Sequence, residues 1–475
     1  MLVSCATQRT RSTVSFVTQL TAQQDTSPEP ISTRLVMPVV AVGVLLSGFD
    51  LFIVNVALGD ISTAIGVGDL ADLSWILNAY AITFAALLVP AGRVGDMIGS
   101  KRGFLAGLLV FVLASAACAV SPSLAGLVAF RVLQAAGAAM MIPSSLGLVL
   151  AAYPAERRAG AVRLWAGLGG IGAALGPVVG GLLVEIDWRW VFLINVPTGL
   201  AAVVIGRRVL PGTPAHADRR PGLGGAALLV VTVAALVLAL VNGPDWGWTS
   251  SQTLIVAAIA AVGLALNAWT VVRHADPIVD LDLLRTPDFA PMGVTLLVFH
   301  VAFGAMLLSI VMWLQDVWGL SALQTGLSIA PGPLLVPVVA TLGGRIVAVI
   351  GARSVAALGG AVFATGVASW ALLAGPSTTY AATILPGMLL TGIGVGLLVP
   401  PAMALGCGHL QPHRFVTGSA VLQAARQIGI AVGVAVLVAV LTAQPPGADA
   451  FAVAWWVTAA IALVAGGTAV VRSPR

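Results

Sequence analysis

From Leu35 onward, long apolar runs alternate with short polar breaks. Each run is about 20 residues, enough as a helix to cross a hydrocarbon core of about 30 Å. Fourteen spans are expected, near 35–58, 74–91, 103–121, 124–150, 161–183, 190–207, 223–242, 254–272, 290–313, 323–343, 354–374, 379–405, 416–441 and 451–471. Most connections are short, the longest running from Arg273 to Phe289, so neighbouring helices return antiparallel in a compact bundle. No alternating ten-residue pattern suggests a barrel, and helices satisfy their own backbone in lipid. The expected fold is therefore all-α and polytopic. A tail over 1–33 precedes a six-helix bundle over 34–208, an inserted helix pair over 209–288 and a second six-helix bundle over 289–475.

Composition agrees with a membrane solvent. Of 475 residues 59% are hydrophobic and 9% charged, whereas soluble domains carry about 25% charged residues. The net charge of +5 points to topology and not to nucleic acid, because its distribution is one-sided. With the amino terminus inside, 20 of the 23 basic residues fall on the cytoplasmic side and only Arg189 on the other. That bias places both termini in the cytoplasm of a bacterial inner membrane and supports an even helix count. The three cysteines have no metal-ligand spacing and no disulfide framework, so neither a metal nor a cofactor is expected. Residues 1–33 lack the apolar core of a signal peptide and read as a disordered tail. Lys101 stands alone among arginines, a bias that fits a GC-rich bacterial genome.

A short pattern repeats. Gly92-Arg93-Val94-Gly95-Asp96-Met97-Ile98-Gly99 follows the second span, and Gly344-Arg345-Ile346-Val347-Ala348-Val349-Ile350-Gly351 follows the tenth. Two related halves around a central path are the plan of a secondary transporter. In span five, Gly172, Gly176 and Gly180, with Pro177 and Gly181, form a smooth stripe for close helix approach, and Pro177 removes a backbone donor.

These motifs resemble the major facilitator superfamily, specifically its fourteen-helix drug:proton antiporters. The segment Gly92 to Arg102, with Arg93, Asp96, Gly99 and Lys101, is similar to that superfamily's loop between helices two and three. The resemblance implies that Asp96 caps a helix in the other half and steadies the outward-open state; a solvated basic loop is the simpler reading. The Gly172–Gly181 stripe resembles the motif that marks antiporters, which implies export. Gly48-Phe49-Asp50-Leu51-Phe52-Ile53-Val54-Asn55, Trp188-Arg189-Trp190-Val191-Phe192, and Ala425-Arg426-Gln427-Ile428-Gly429 also look like this family.

Ionisable groups in lipid cost about 2.5–3.5 kcal/mol each and are functional candidates. Asp50 is the carboxylate well inside a span, and helical rise puts Arg131 of span four at a similar depth. Arg131 and Gln134 belong to a stretch resembling the family's fourth-helix motif, whose arginine is implicated in proton transfer. Asp50 and Arg131 are the proposed proton-coupling residues, with a static buried pair as the alternative. Gln134, His300, Gln423, Arg426 and Gln427 are candidates for the substrate path. Bracing serves equally for Gln423, Arg426 and Gln427, and a packed core role serves for His300. Trp188, Trp190, Trp246 and Trp248 flank span ends, where interfacial belts form. Two arginines and a histidine against one aspartate argue against a specialist in dicationic drugs.

The function expected is export of a small molecule against protons, working as a monomer in the lipid bilayer. Uptake by symport is the alternative, opposed by the span-five stripe. No enzyme is expected: no cluster of acids and histidines accompanies a nucleophile, and no phosphate-cradling motif supplies ATP.

Overall fold

The computed structural model describes residues 33–67, 70–215, 223–273, 281–445 and 447–471. The tail expected over 1–33 lies outside them but for Thr33, as do Arg219 and Arg220. Everything regular among the described residues is helical. The first set is α1 (Thr33–Ile65), α2 (Leu70–Ile98), α3 (Ser100–Ala119), α4 (Leu124–Ala152), α5 (Ala155–Val184) and α6, which breaks at Ile194 into Trp190–Leu193 and Asn195–Val209. Then come α7 (Leu223–Trp246) and α8 (Ser251–Arg273). The second set is α9 (Phe289–Met312, continued by a π turn over Trp313–Val317), α10 (Ala322–Ile329 and Pro331–Ile350), α11 (Ala352–Leu373), α12 (Tyr380–Gly408), α13 (Phe415–Thr442) and α14 (Ala448–Val470).

Twelve helical stretches among the described residues are long and apolar enough to cross a membrane, against the fourteen expected. The two outside that number are α1 and α5. Among the described residues of α1 the apolar stretch is the shorter Leu35–Asp50, and α5 opens on Glu156, Arg157 and Arg158.

The two sets pack alike. In the first, α1 lies on α5 and α6, and α4 on α2 and α3; in the second, α9 lies on α13 and α14, and α12 on α10 and α11. Between sets, α2 meets α13 and α5 meets α10, again a matched exchange. The repeated sequence explains part of this symmetry. Gly99 (φ 87°, ψ 143°) and Gly351 (φ 83°, ψ 153°) are single-residue hinges between consecutive helices, in a backbone region that side chains resist. What reads in sequence as a loop from Gly92 to Arg102 is thus mostly helix with one left-handed residue. Two positions past each hinge, a basic side chain ties down the end of its set. Lys101 Nζ donates to the carbonyls of Arg207 (3.0 Å) and Leu210 (2.6 Å) at the end of α6. Arg353 donates to the carbonyls of Ala469 and Val471 at the end of α14 and pairs with Asp288 ahead of α9. Cations at helix C-termini favour the exposed carbonyls there.

Large aliphatic side chains point outward along α8, including Leu254, Ile255 and Val262, as a lipid-facing helix requires. Trp190 and Trp248 are exposed near helix ends, as expected for a belt. Trp188 is buried instead, packed edge-on against Phe192 with the Arg189 guanidinium over its ring. An aromatic next to a helix start can turn inward when a neighbouring ring completes its packing.

Candidate functional site

Asp50 sits on α1 one turn beyond Ser47, and its carboxylate is fully buried. Arg131 of α4 reaches it: Nη1 donates to Oδ2 at 2.5 Å. Gln134, one turn along α4, stitches the pair together. Its Nε2 donates to Asp50 Oδ1 (2.8 Å) and lies 2.7 Å from Ser115 Oγ of α3, while its Oε1 accepts from Arg131 Nη1 (2.7 Å). Arg131 Nε donates to the Ile76 carbonyl at 3.1 Å, and its guanidinium lies 4.2 Å from the centre of the Tyr80 ring. Every side chain in this network is at most 1% exposed. The pair is held by hydrogen bonds to both Asp50 carboxylate oxygens and from Arg131 Nε and Nη1; removal of one charge would strand the other.

Beside this sealed network lies a cavity of about 210 Å³ bounded by both helix sets. Ser47 and Gly48 of α1, Gly169 and Gly170 of α5, and Phe84 of α2 form one wall. His300 of α9, Thr391 of α12, and Gln423, Arg426 and Gln427 of α13 supply the polar part of the other. His300 Nδ1 is 2.7 Å from the Leu296 carbonyl, so Nδ1 carries the hydrogen and donates. Its Nε2 then accepts from Arg426 Nε at 3.0 Å. Arg426 Nη1 donates to Gln423 Oε1 at 2.6 Å. At Ser47 and Gly48 the cavity comes within one helical turn, about 4.5 Å of rise, of Asp50.

The two sets are clasped at the Gly99 end. Asp96 near the end of α2 accepts from the backbone amides of Val416 (3.0 Å) and Thr417 (2.8 Å), the free donors of the first turn of α13. Gly92 and Gly95 make room for this approach, since a Cβ on Gly92 would come within 2.5 Å of Ala420 Cβ. Along α5 the glycine stripe serves two neighbours. Gly172 and Gly180 press on Gly48 and Ile53 of α1, and Gly181 faces Leu323 of α10; Gly176 is buried in the same stripe and Pro177 lies within the helix.

Residues 40–434 match the family model described as Major Facilitator Superfamily. The chain belongs to that superfamily. Its relatives include the multidrug resistance protein Stp of Mycobacterium tuberculosis (strain CDC 1551 / Oshkosh), 35% identical over 82% of this chain and 72% of that protein. The methylenomycin A resistance protein of Streptomyces coelicolor is 32% identical over 82% of each. Among solved superfamily folds, the human organic anion transporter MFSD10 superposes with a TM-score of 0.67 at 17% identity, covering 92% of this chain and 99% of that one. The xylose transporter XylE from E. coli gives 0.61 at 13% identity, covering 92% and 96%. At those identities the likeness is one of fold. This superfamily member is a multi-pass membrane protein of the transporter class.

The sequence-predicted residues fall into three groups. Asp50 and Arg131, expected at a similar depth, meet directly. His300, Gln423, Arg426 and Gln427 line the cavity together, while Gln134, read as part of the path, is placed with Asp50 and away from it. In the clasp, Arg93 is buried beside Asp96, whereas Arg102 is exposed. Sequence reasoning did not find Ser115, Tyr80 or the Ile76 carbonyl. Only Gln134, three residues from Arg131 on one helix face, carried a signal.

Proposed function

We propose that this protein exports small, largely apolar molecules across a bacterial cytoplasmic membrane in exchange for protons. The observation that carries the reading is Asp50. It is a buried carboxylate whose charge is balanced by Arg131 and which stands one turn from a cavity shared by both helix sets. Protonation would weaken its hold on Arg131 and change the energy of one arrangement of the sets relative to another. The antibiotic-resistance relatives favour drug-like cargo leaving the cell, and the glycine stripe of α5 favours antiport.

In this reading the membrane is crossed fourteen times. The twelve apolar stretches are joined by α1 and α5, helices of 33 and 30 residues, each longer than the span a bilayer needs. Both termini then lie in the cytoplasm. The bundles over 34–208 and 289–475 rock about the cavity, and the pair over 209–288 is an insertion. Asp96 clasps the cytoplasmic ends in the state open to the outside. One copy of the chain suffices.

The test uses everted vesicles carrying the protein and loaded with an acid interior. Exchange predicts that adding a transported drug raises the internal pH, and that Asp50→Asn stops gradient-driven accumulation while sparing drug–drug exchange. Gradient-driven accumulation that survives in Asp50→Asn would overturn the assignment.

A further inference from the structure

The cavity is electrostatically lopsided. Among its described lining residues one is charged, Arg426, and none is a carboxylate. Arg131, the arginine at a similar depth in the first set, has its charge met by Asp50. Arg426 has no ion pair among the described residues; its two side-chain partners, His300 Nε2 and Gln423 Oε1, are neutral acceptors. His300 is fixed as an acceptor by the hydrogen bond its Nδ1 gives to Leu296. A guanidinium has five N–H donors, and these contacts use two. The rest form a fork suited to a planar oxyanion.

The opposite wall leaves room for such a group. Gly169 and Gly48 line the same cavity, and a Cβ placed on Gly169 would touch nothing within 4 Å. These glycines are counterparts of Arg426 and His300. Gly48 packs on Gly172 of α5, and His300 packs on Gly429 of α13, so the repeat matches α1 to α9 and α5 to α13 at these contacts. Apart from Ser47, Thr391, Gln423 and Gln427, the remaining surface, from Phe84, Phe303, Met306 and Val336 among others, is mostly apolar.

We infer that the cavity selects amphipathic organic anions, with Arg426 as the specificity-determining residue that receives a carboxylate, enolate or phenolate head while the apolar wall covers the body. An unbalanced guanidinium in a low-dielectric site attracts one opposite charge and repels a cation. The inference rests on the exporter reading above and narrows its cargo.

The experiment expresses the protein in an efflux-deficient bacterium and measures growth inhibition. Fusidate, novobiocin and nalidixate supply one ionised acid on an apolar body; ethidium and tetraphenylphosphonium supply the opposite charge. The expected result is protection against at least one acid, on the order of tenfold, and none against either cation. Arg426→Gln should lose that protection at matched membrane levels, and Arg426→Lys, which keeps the charge, should retain part of it. Protection against a cation, alone or beside the acids, overturns the inference, as does an acid protection that Arg426→Gln leaves unchanged. The wild-type selectivity is read without any variant, so a poorly folding substitution does not blunt the test. If no compound is resisted, the exporter reading itself fails, and this inference with it.

Discussion

Asp96 and Thr417 lie 321 positions apart in the chain, yet the Asp96 Oδ2 accepts from the Thr417 amide at 2.8 Å. With the second oxygen on Val416, one carboxylate satisfies two of the donors that the first turn of α13 leaves open. The contact joins the two helix sets at one end only. In the second copy of the repeat Ala348 stands where the first has Asp96, so the matching crossing of α5 and α10 has no such cap.

Removing this clasp should unbalance the protein without unfolding it. Asp96→Ala loses a cap worth about 0.5–2 kcal/mol, which shifts a two-state equilibrium by roughly two- to thirtyfold. A cysteine placed at the cavity wall should become more reactive from the Gly99 end and less reactive from the other. Unchanged labelling from both sides would mean the clasp does not bias the equilibrium.

The buried pair predicts an asymmetric double-mutant cycle. Arg131→Ala strands Asp50 and should cost about 3–5 kcal/mol, seen as a lower melting temperature in detergent. Adding Asp50→Asn to that variant should recover part of the loss, because no unpaired charge is left. Additive losses would show that Asp50 and Arg131 do not interact in the folded protein.

Two glycines on α5 should respond differently to one methyl group. A Cβ on Gly172 would lie 3.0 Å from Gly48 Cα, tighter than most real contacts, whereas Gly169 faces open space. Gly172→Ala should destabilise by about 1–3 kcal/mol, and Gly169→Ala should leave the melting temperature alone. Equal responses would place the α1–α5 contact elsewhere.

The paired hinges offer a second contrast. Alanine at either Gly99 or Gly351 carries the strain of positive φ, about 1–2 kcal/mol. At Gly99 the new methyl also meets the Thr213 carbonyl at 2.7 Å, while at Gly351 it meets nothing within 4 Å. Gly99→Ala should therefore be the more harmful for membrane expression and melting temperature.

If the cargo is a monoanion leaving against one proton, each cycle moves two charges. The membrane potential contributes about 2.3 kcal/mol per charge per 100 mV, hence roughly 4.6 kcal/mol. In everted vesicles a potassium diffusion potential, interior positive and with no pH gradient, should drive accumulation of whichever of the three acids the protein exports. No response to potential would exclude this stoichiometry.

Much of this was legible in the residues. Hydropathy gives the helices because lipid leaves no alternative for the backbone, and helical rise gives depth, so Asp50 and Arg131 could be matched before any contact was known. The Gly-Arg repeat marked two matched positions but read as a loop, because the sequence does not show that only Gly99 and Gly351 leave the helix. The rest depends on helix rotation. Whether Gln134 turns to Asp50 or to the cavity, and whether Trp188 turns in or out, is decided by neighbours such as Ser115 and Phe192 that carry no spacing signal. The bond between Lys101 and the end of α6 was equally hidden, since backbone carbonyls leave no mark in a sequence.

Helix α7 packs on both sets where α2 meets α13. Its Val233 and Val237 pack with Ala85 and Ala86 of α2 and Ala431 of α13, and Asn242 accepts from Asn78 on α2 at 3.5 Å. A polar tether on one side and bare methyl groups on the other make α7 a batten fixed to one plank. If the sets rock as proposed, α7 should follow the first set and slide over the second, so that acyl chains stay out of the joint.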